Sequence, residues 1–187
     1  MNSWVRACLL LGLGSAGVWW LDLSGPLAWQ SEGWWRSPWR LWTASLAHLS
    51  GAHLVGNLGA LGVLAVLGRY LQVGRPAALA LLLSWPLSTL SLLGWPEVRG
   101  YSGLSGLLCA MLGILWVHAA RDPQARVVSW VLGASMGVKL LAEHAWSQPI
   151  GYDPNWGFNV VYAAHLAGFA GGAACGWLTA TPVVRRA

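Results

Sequence analysis

Residues 159–179 read NVVYAAHLAGFAGGAACGWLT, an apolar stretch holding one imidazole, His165, and glycines at four-residue spacing, Gly168, Gly172 and Gly176. A helix needs about 20 mainly apolar residues to cross a bilayer, and this stretch has that length. Small residues four apart form one face of a helix, along which a second backbone can approach closely. An imidazole at membrane depth is costly unless it has a partner or a task. The stretch therefore reads as a spanning helix that packs tightly against a neighbour and carries a working histidine.

Outward from it, the spacing predicts five more apolar helices, at about 4–23, 48–68, 76–95, 103–120 and 126–146. The chain has 187 residues, 56% hydrophobic and 9% charged, against about 25% charged in an ordinary soluble domain. The expected fold is all-α: a polytopic membrane bundle of six transmembrane helices in a single domain, residues 1–187. The net charge of +5 does not imply a nucleic-acid partner, because the basic residues are scattered between apolar segments and form no patch. Cys8, Cys109 and Cys175 all fall in apolar segments, so no disulfide framework is expected. Arg6 followed by an apolar run imitates a signal peptide, but Trp19-Trp20-Leu21-Asp22 offers no small-residue cleavage site, so retention is expected.

Orientation follows from the basic residues between spans. With a cytoplasmic N-terminus, the inner segments hold Arg6, Arg69, Arg75, Arg121, Arg126, Arg185 and Arg186, and the outer ones hold Arg36, Arg40 and Arg99. That asymmetry places both termini in the cytoplasm, in the inner membrane of a bacterium. Trp19, Trp20, Trp95, Trp146 and Trp156 then mark outer helix ends, and Trp4, Trp116, Trp130 and Trp177 inner ends. Trp29, Trp34, Trp35, Trp39 and Trp42 crowd the first outer loop, which is expected to lie in the membrane interface. The segment Gln148–Asn159, with Pro149, Gly151, Pro154 and Gly157, reads as an irregular loop able to act as a cap.

A second polar group stands in Gly103-Leu104-Ser105-Gly106, at the start of the fourth stretch. A serine with a histidine is the minimum set for an activated nucleophile. His165 would take the Ser105 proton as Ser105 attacks a carbonyl. His53 and Asn57, four apart on one helix face, and the backbone N–H of Ser105 would donate to the oxyanion. His48 lies nearer the surface. No acidic residue in the same spans offers itself as a third member, so the expectation is a Ser–His dyad without an orienting carboxylate. His165 should lie roughly 9 Å below the start of its span, at 1.5 Å per residue. Each residue alone has a plainer reading: a serine in a Gly-rich membrane helix is usually packing, Asn57 could bond a neighbouring helix, and His118 and His144 are interfacial. The conjunction favours chemistry, and that chemistry calls for neither a cofactor nor a metal ion.

Four segments together resemble the rhomboid family of intramembrane serine proteases: Trp39-Arg40-Leu41-Trp42-Thr43; His48 through Asn57; Gly103-Leu104-Ser105-Gly106; and Ala164-His165-Leu166-Ala167-Gly168 with Gly172. The resemblance implies Ser105 as nucleophile, His165 as base and an oxyanion hole of His53 and Asn57, with Gly103, Cys109, Gly168, Gly172 and His48 in support. It implies membrane-anchored protein substrates cut near the outer face. Two positions depart from the family. Ala44 replaces a histidine, and Cys109 replaces a tyrosine that packs on the catalytic histidine. The small size resembles the rhombosortase branch, which implies exported substrates with a C-terminal Gly-Gly step before an apolar anchor. An inactive rhomboid-like escort of membrane clients is disfavoured by the presence of both Ser105 and His165. A transporter is disfavoured by the lack of inverted repeats. A zinc site of His48, His53 and His165 lacks the His-Glu-x-x-His helix motif.

Overall fold

The computed structural model describes residues 2–180; Arg185 and Arg186, used above for orientation, lie outside the described residues. Among the described residues six long helices occupy the six apolar stretches: α1 (Ser3–Trp20), α2 (Gly51–Tyr70), α3 (Arg75–Leu90), α4 (Ser105–Ala120), α5 (Arg126–Glu143) and α6 (Tyr162–Thr179). By length and composition, Gly51–Tyr70, Arg75–Gly94 and Pro123–Glu143 are long and apolar enough to cross a membrane, while Ser105–Ala120 is apolar but shorter.

The helix ends have local causes. Ser50 caps α2 by accepting from the His53 N–H, the usual way a hydroxyl satisfies an orphan donor of the first turn. His48 therefore precedes the helix, where the hydropathy pattern had placed it inside. α5 stops at Glu143 because His144 turns left-handed (φ 49°). α6 starts at Tyr162, three residues later than the apolar pattern suggested. His165 is thus only about 4.5 Å along its helix at 1.5 Å per residue, shallower than expected.

α4 is the hub. It is apolar all round and buried along most of its length, as a helix at the centre of a bundle must be. α6 lies against it along the glycine row: a side-chain carbon at Gly168 would overlap the Gly106 carbonyl, and one at Gly172 the Ala110 backbone. α3, α5 and α2 complete the surround, and α1 packs on α2 and α3. Trp4 departs from the expected inner belt. It is wholly buried against Gly68 and donates its indole N–H to the Leu64 carbonyl at 3.0 Å. Leu10, Val66, Trp130 and Leu178, by contrast, project outward, an apolar exterior suited to lipid.

The 21–50 segment folds back on the bundle. Its strand β1 (Trp29–Gln30) pairs antiparallel with β2 (Gly100–Tyr101), the strand just before Ser105. Trp29 is buried beneath this pair with Leu41, Leu92 and Val98, so not all five loop tryptophans are interfacial. The Gln148–Asn159 segment is more regular than its Gly/Pro content suggested. It forms a hairpin of β3 (Gly151–Asp153) and β4 (Phe158–Val160). Asp153 organises the turn: its carboxylate accepts from the Asn155 N–H and its carbonyl from the Gly157 N–H, and Gly157 supplies the positive φ.

Candidate active site

Ser105 owes its position to a sharp turn. Gly103 has φ +127°, open to glycine and strained for other residues, and a side-chain carbon there would lie 2.7 Å from the His53 ring. The Gly103 N–H donates to the Ala44 carbonyl at 3.0 Å; Ala44 thus contributes its backbone where the family has a histidine. Tyr101 staples the turn. Its buried hydroxyl donates to the Gly103 carbonyl (2.6 Å) and accepts from the Gly106 N–H (3.1 Å). Burial pushes the phenol pKa up, keeping it a neutral donor. Past the turn, Ser105 becomes the first residue of α4, where backbone N–H groups have no intrahelical acceptor.

The serine and histidine meet. His165 Nε2 lies 3.1 Å from Ser105 Oγ, within hydrogen-bond reach of a base and its nucleophile. His165 is 3% exposed. Its other nitrogen, Nδ1, lies 2.8 Å from Glu143 Oε2. The expectation of a histidine without a carboxylate is therefore corrected at the level of contacts: the acid comes from the end of α5, a third helix. Glu143 also pairs with Lys139 one turn earlier. A Lys–Glu pair at i, i+4 within an apolar span was a readable signal, since intramembrane charges are rarely idle; the sequence could not show which helix it faced.

His53 and Asn57 share one face of α2 and, with Ser105, Glu143 and His165, line an open cleft of about 880 Å³. Asn57 Nδ2 and His53 Nδ1 are buried without a hydrogen-bond partner among the described residues. His48 packs against His53. Its Nδ1 lies 3.0 Å from the Leu46 carbonyl, and its ring meets His53 edge-on at 5.0 Å. Trp156 and Phe158, from the hairpin, lie 5.8 and 5.1 Å from the His53 ring, which closes the cleft on that side. Phe158 was not singled out from sequence, and Trp156 was read only as marking an outer helix end. Cys109 lines the cleft one turn after Ser105. The ring nearest His165 is Tyr162, on its own helix, at 6.3 Å, so Nδ1 bonding rather than close stacking fixes the imidazole. The histidines expected to be interfacial, His118 and His144, take no part.

Chemically, the cleft presents a hydroxyl bonded to an imidazole, an imidazole bonded to a carboxylate, and an amide donor, Asn57 Nδ2, that is unengaged among the described residues. Among the described residues no group of three or more His, Cys, Asp or Glu side chains could hold a metal ion. A family model described as a Rhomboid domain matches residues 35–182. The chain is also 28% identical over 149 residues to Rhomboid protease GlpG of Pectobacterium atrosepticum, covering 76% of this chain and 49% of that protein. The chain thus spans about half the length of the curated relative it matches.

Proposed function

We propose that this chain, which belongs to the rhomboid family and is an integral membrane protein, is a serine endopeptidase that cuts transmembrane or juxtamembrane segments of other membrane proteins. The observation that carries this is the 3.1 Å approach of His165 Nε2 to Ser105 Oγ inside a cleft. Ser105 attacks the scissile carbonyl while His165 takes its proton. The carbonyl oxygen, now negative, receives the Asn57 amide, a His53 N–H and the Ser105 backbone N–H, at the positive end of α4. His165 then delivers its proton to the leaving amine. The six helices each cross the membrane, with both termini cytoplasmic and the cleft on the opposite side, in the inner membrane of a bacterium.

The finer reading is rhombosortase-like: an exported substrate with a Gly-Gly step ahead of a C-terminal apolar anchor. A spanning helix keeps its carbonyls bonded internally, so the scissile segment must unwind. Glycines weaken a helix by about 1 kcal/mol each, and a Gly-Gly step suits such a site. The test uses enzyme reconstituted in liposomes with two single-span substrates, one bearing Gly-Gly before its anchor and one a general helix-breaking site. Wild type should cleave and should be labelled by a serine-directed fluorophosphonate. Ser105→Ala, His165→Ala and the double variant should be about equally inert, because members of one catalytic unit are non-additive. Cleavage by Ser105→Ala would remove the protease reading. Equal handling of the two substrates would remove only the Gly-Gly preference. Escort without catalysis is not favoured, since an escort has no use for a nucleophile–base contact.

A further inference from the structure

We infer that Glu143 is the third member of the catalytic unit, a positioning carboxylate that turns the Ser105–His165 pair into a Ser–His–Glu triad; this rests on the protease reading above. The geometry is one chain of contacts through a single imidazole. Glu143 Oε2 is 2.8 Å from Nδ1, and Nε2 is 3.1 Å from Ser105 Oγ. A carboxylate can only accept, so its partner nitrogen must carry the proton. That fixes the tautomer in which Nε2 keeps its lone pair towards Ser105 and can act as base. In the acylation step Oγ bonds the substrate carbon, the carbonyl π pair moves to its oxygen, and the Oγ proton passes to Nε2. The imidazole is then a cation, and the Glu143 carboxylate beside it offsets that charge.

The placement of Glu143 argues against a merely structural acid. It is the last residue of α5, at the negative end of that helix, where an anion is disfavoured. It is only 14% exposed at its side chain, and Lys139, at 43%, is the more exposed member of their pair. An acid present only to neutralise Lys139 could turn outward with it. Instead it spends one oxygen on Lys139 and the other on a histidine 3% exposed. A carboxylate in an apolar span that turns into the bundle marks a working site by default. The contact also replaces what Cys109 cannot give, since no ring from position 109 is there to hold His165.

The test compares Glu143→Gln, Glu143→Ala and Ser105→Ala with wild type in the liposome assay, reading turnover, KM and the rate of fluorophosphonate capture. Exchanging the carboxylate of a Ser–His–acid unit for an amide costs about 10⁴ in turnover, through the wrong tautomer. Because Lys139 already draws on the carboxylate, we expect a loss of about 10²–10⁴ in turnover and in capture rate, with KM little changed. A packing role would rank Gln well above Ala. A tautomer role leaves Gln no better than Ala, and added formate should restore Glu143→Ala but not Glu143→Gln. Melting temperatures identify the folded range, and formate rescue is read within it. Wild-type turnover in Glu143→Gln, or a folded Glu143→Ala that formate does not revive, overturns the triad while leaving Ser105 and His165 in place. A wild-type protein that neither cleaves nor captures the probe overturns both readings.

Discussion

Gly168→Ala tests whether backbone contact between α6 and α4 brings His165 to Ser105. The added methyl would overlap the Gly106 carbonyl oxygen and lie 2.9 Å from its carbon. Both are backbone atoms that cannot swing aside, so α6 must retreat, by something on the order of 1 Å. His165 sits one turn before Gly168 on the same helix. Its 3.1 Å contact with Ser105 would open to about 4 Å, beyond hydrogen-bond length. Overpacking of this kind costs about 1–3 kcal/mol, and a misplacement of 1 Å can cost about 10² in rate. In a chain of this size each kcal/mol moves the melting temperature by about 2–4 °C. We therefore expect a fall of about 2–12 °C together with a loss of about 10² in turnover. Two neighbours calibrate the result. A methyl at Gly176 would lie 3.1 Å from Ile114 Cα, and one at Gly171 would meet nothing within 4 Å. Gly176→Ala should be mild and Gly171→Ala neutral. The assay is thermal melting in detergent alongside cleavage of a single-span substrate. If Gly168→Ala melts and cleaves like wild type, or if Gly171→Ala is equally damaging, close packing of these two helices does not set the site.

Asn57→Ala should remain folded and lose about 10²–10³ in turnover, the usual cost of one oxyanion donor; normal turnover would take Asn57 out of the site. For topology, a cysteine at Asp153 should react with a membrane-impermeant thiol reagent in intact cells, and one at Gln124 should not. The native Cys8, Cys109 and Cys175 are buried, which keeps the background low. The reverse pattern would invert the proposed orientation and move the cleft to the cytoplasmic side.

What the sequence made legible was what the bilayer penalises. Ser105, His165, His53 and Asn57 stood out because a polar group in an apolar stretch needs a reason, and the structure brings all four to one cleft. The glycine row of α6 was legible for the same kind of reason, since a strip without side chains fits a neighbouring backbone. Glu143 was not. Its relevance depends on how α5 is rotated and where it ends, and the apolar pattern ran on to 146 whereas the helix stops at Glu143 through the left-handed His144. Tyr101 was equally hidden. It lies outside any span, and its role comes from hydrogen bonds across a turn of six residues, 101–106. Trp4 was misplaced because an indole at a helix end suits an interface, and nothing local says that Gly68 leaves a slot for it.

The polar atoms of the cleft divide into two groups, and the division bears on mechanism. Ser105, Glu143, Tyr101 and both nitrogens of His165 are engaged with one another or with backbone. That engagement fixes the nucleophile, the base and the turn beneath them. Asn57 Nδ2, on α2 at the same cleft, is a buried donor unengaged among the described residues. A buried donor without an acceptor costs about 1–3 kcal/mol. Held open, such donors gain their acceptor when a carbonyl oxygen becomes an anion, and the penalty is relieved at the transition state. Interactions stronger there than in the resting state are the ones that accelerate a reaction. In the proposed mechanism the engaged half of the cleft aims the attack, and the unsatisfied half stabilises the oxyanion that the attack forms.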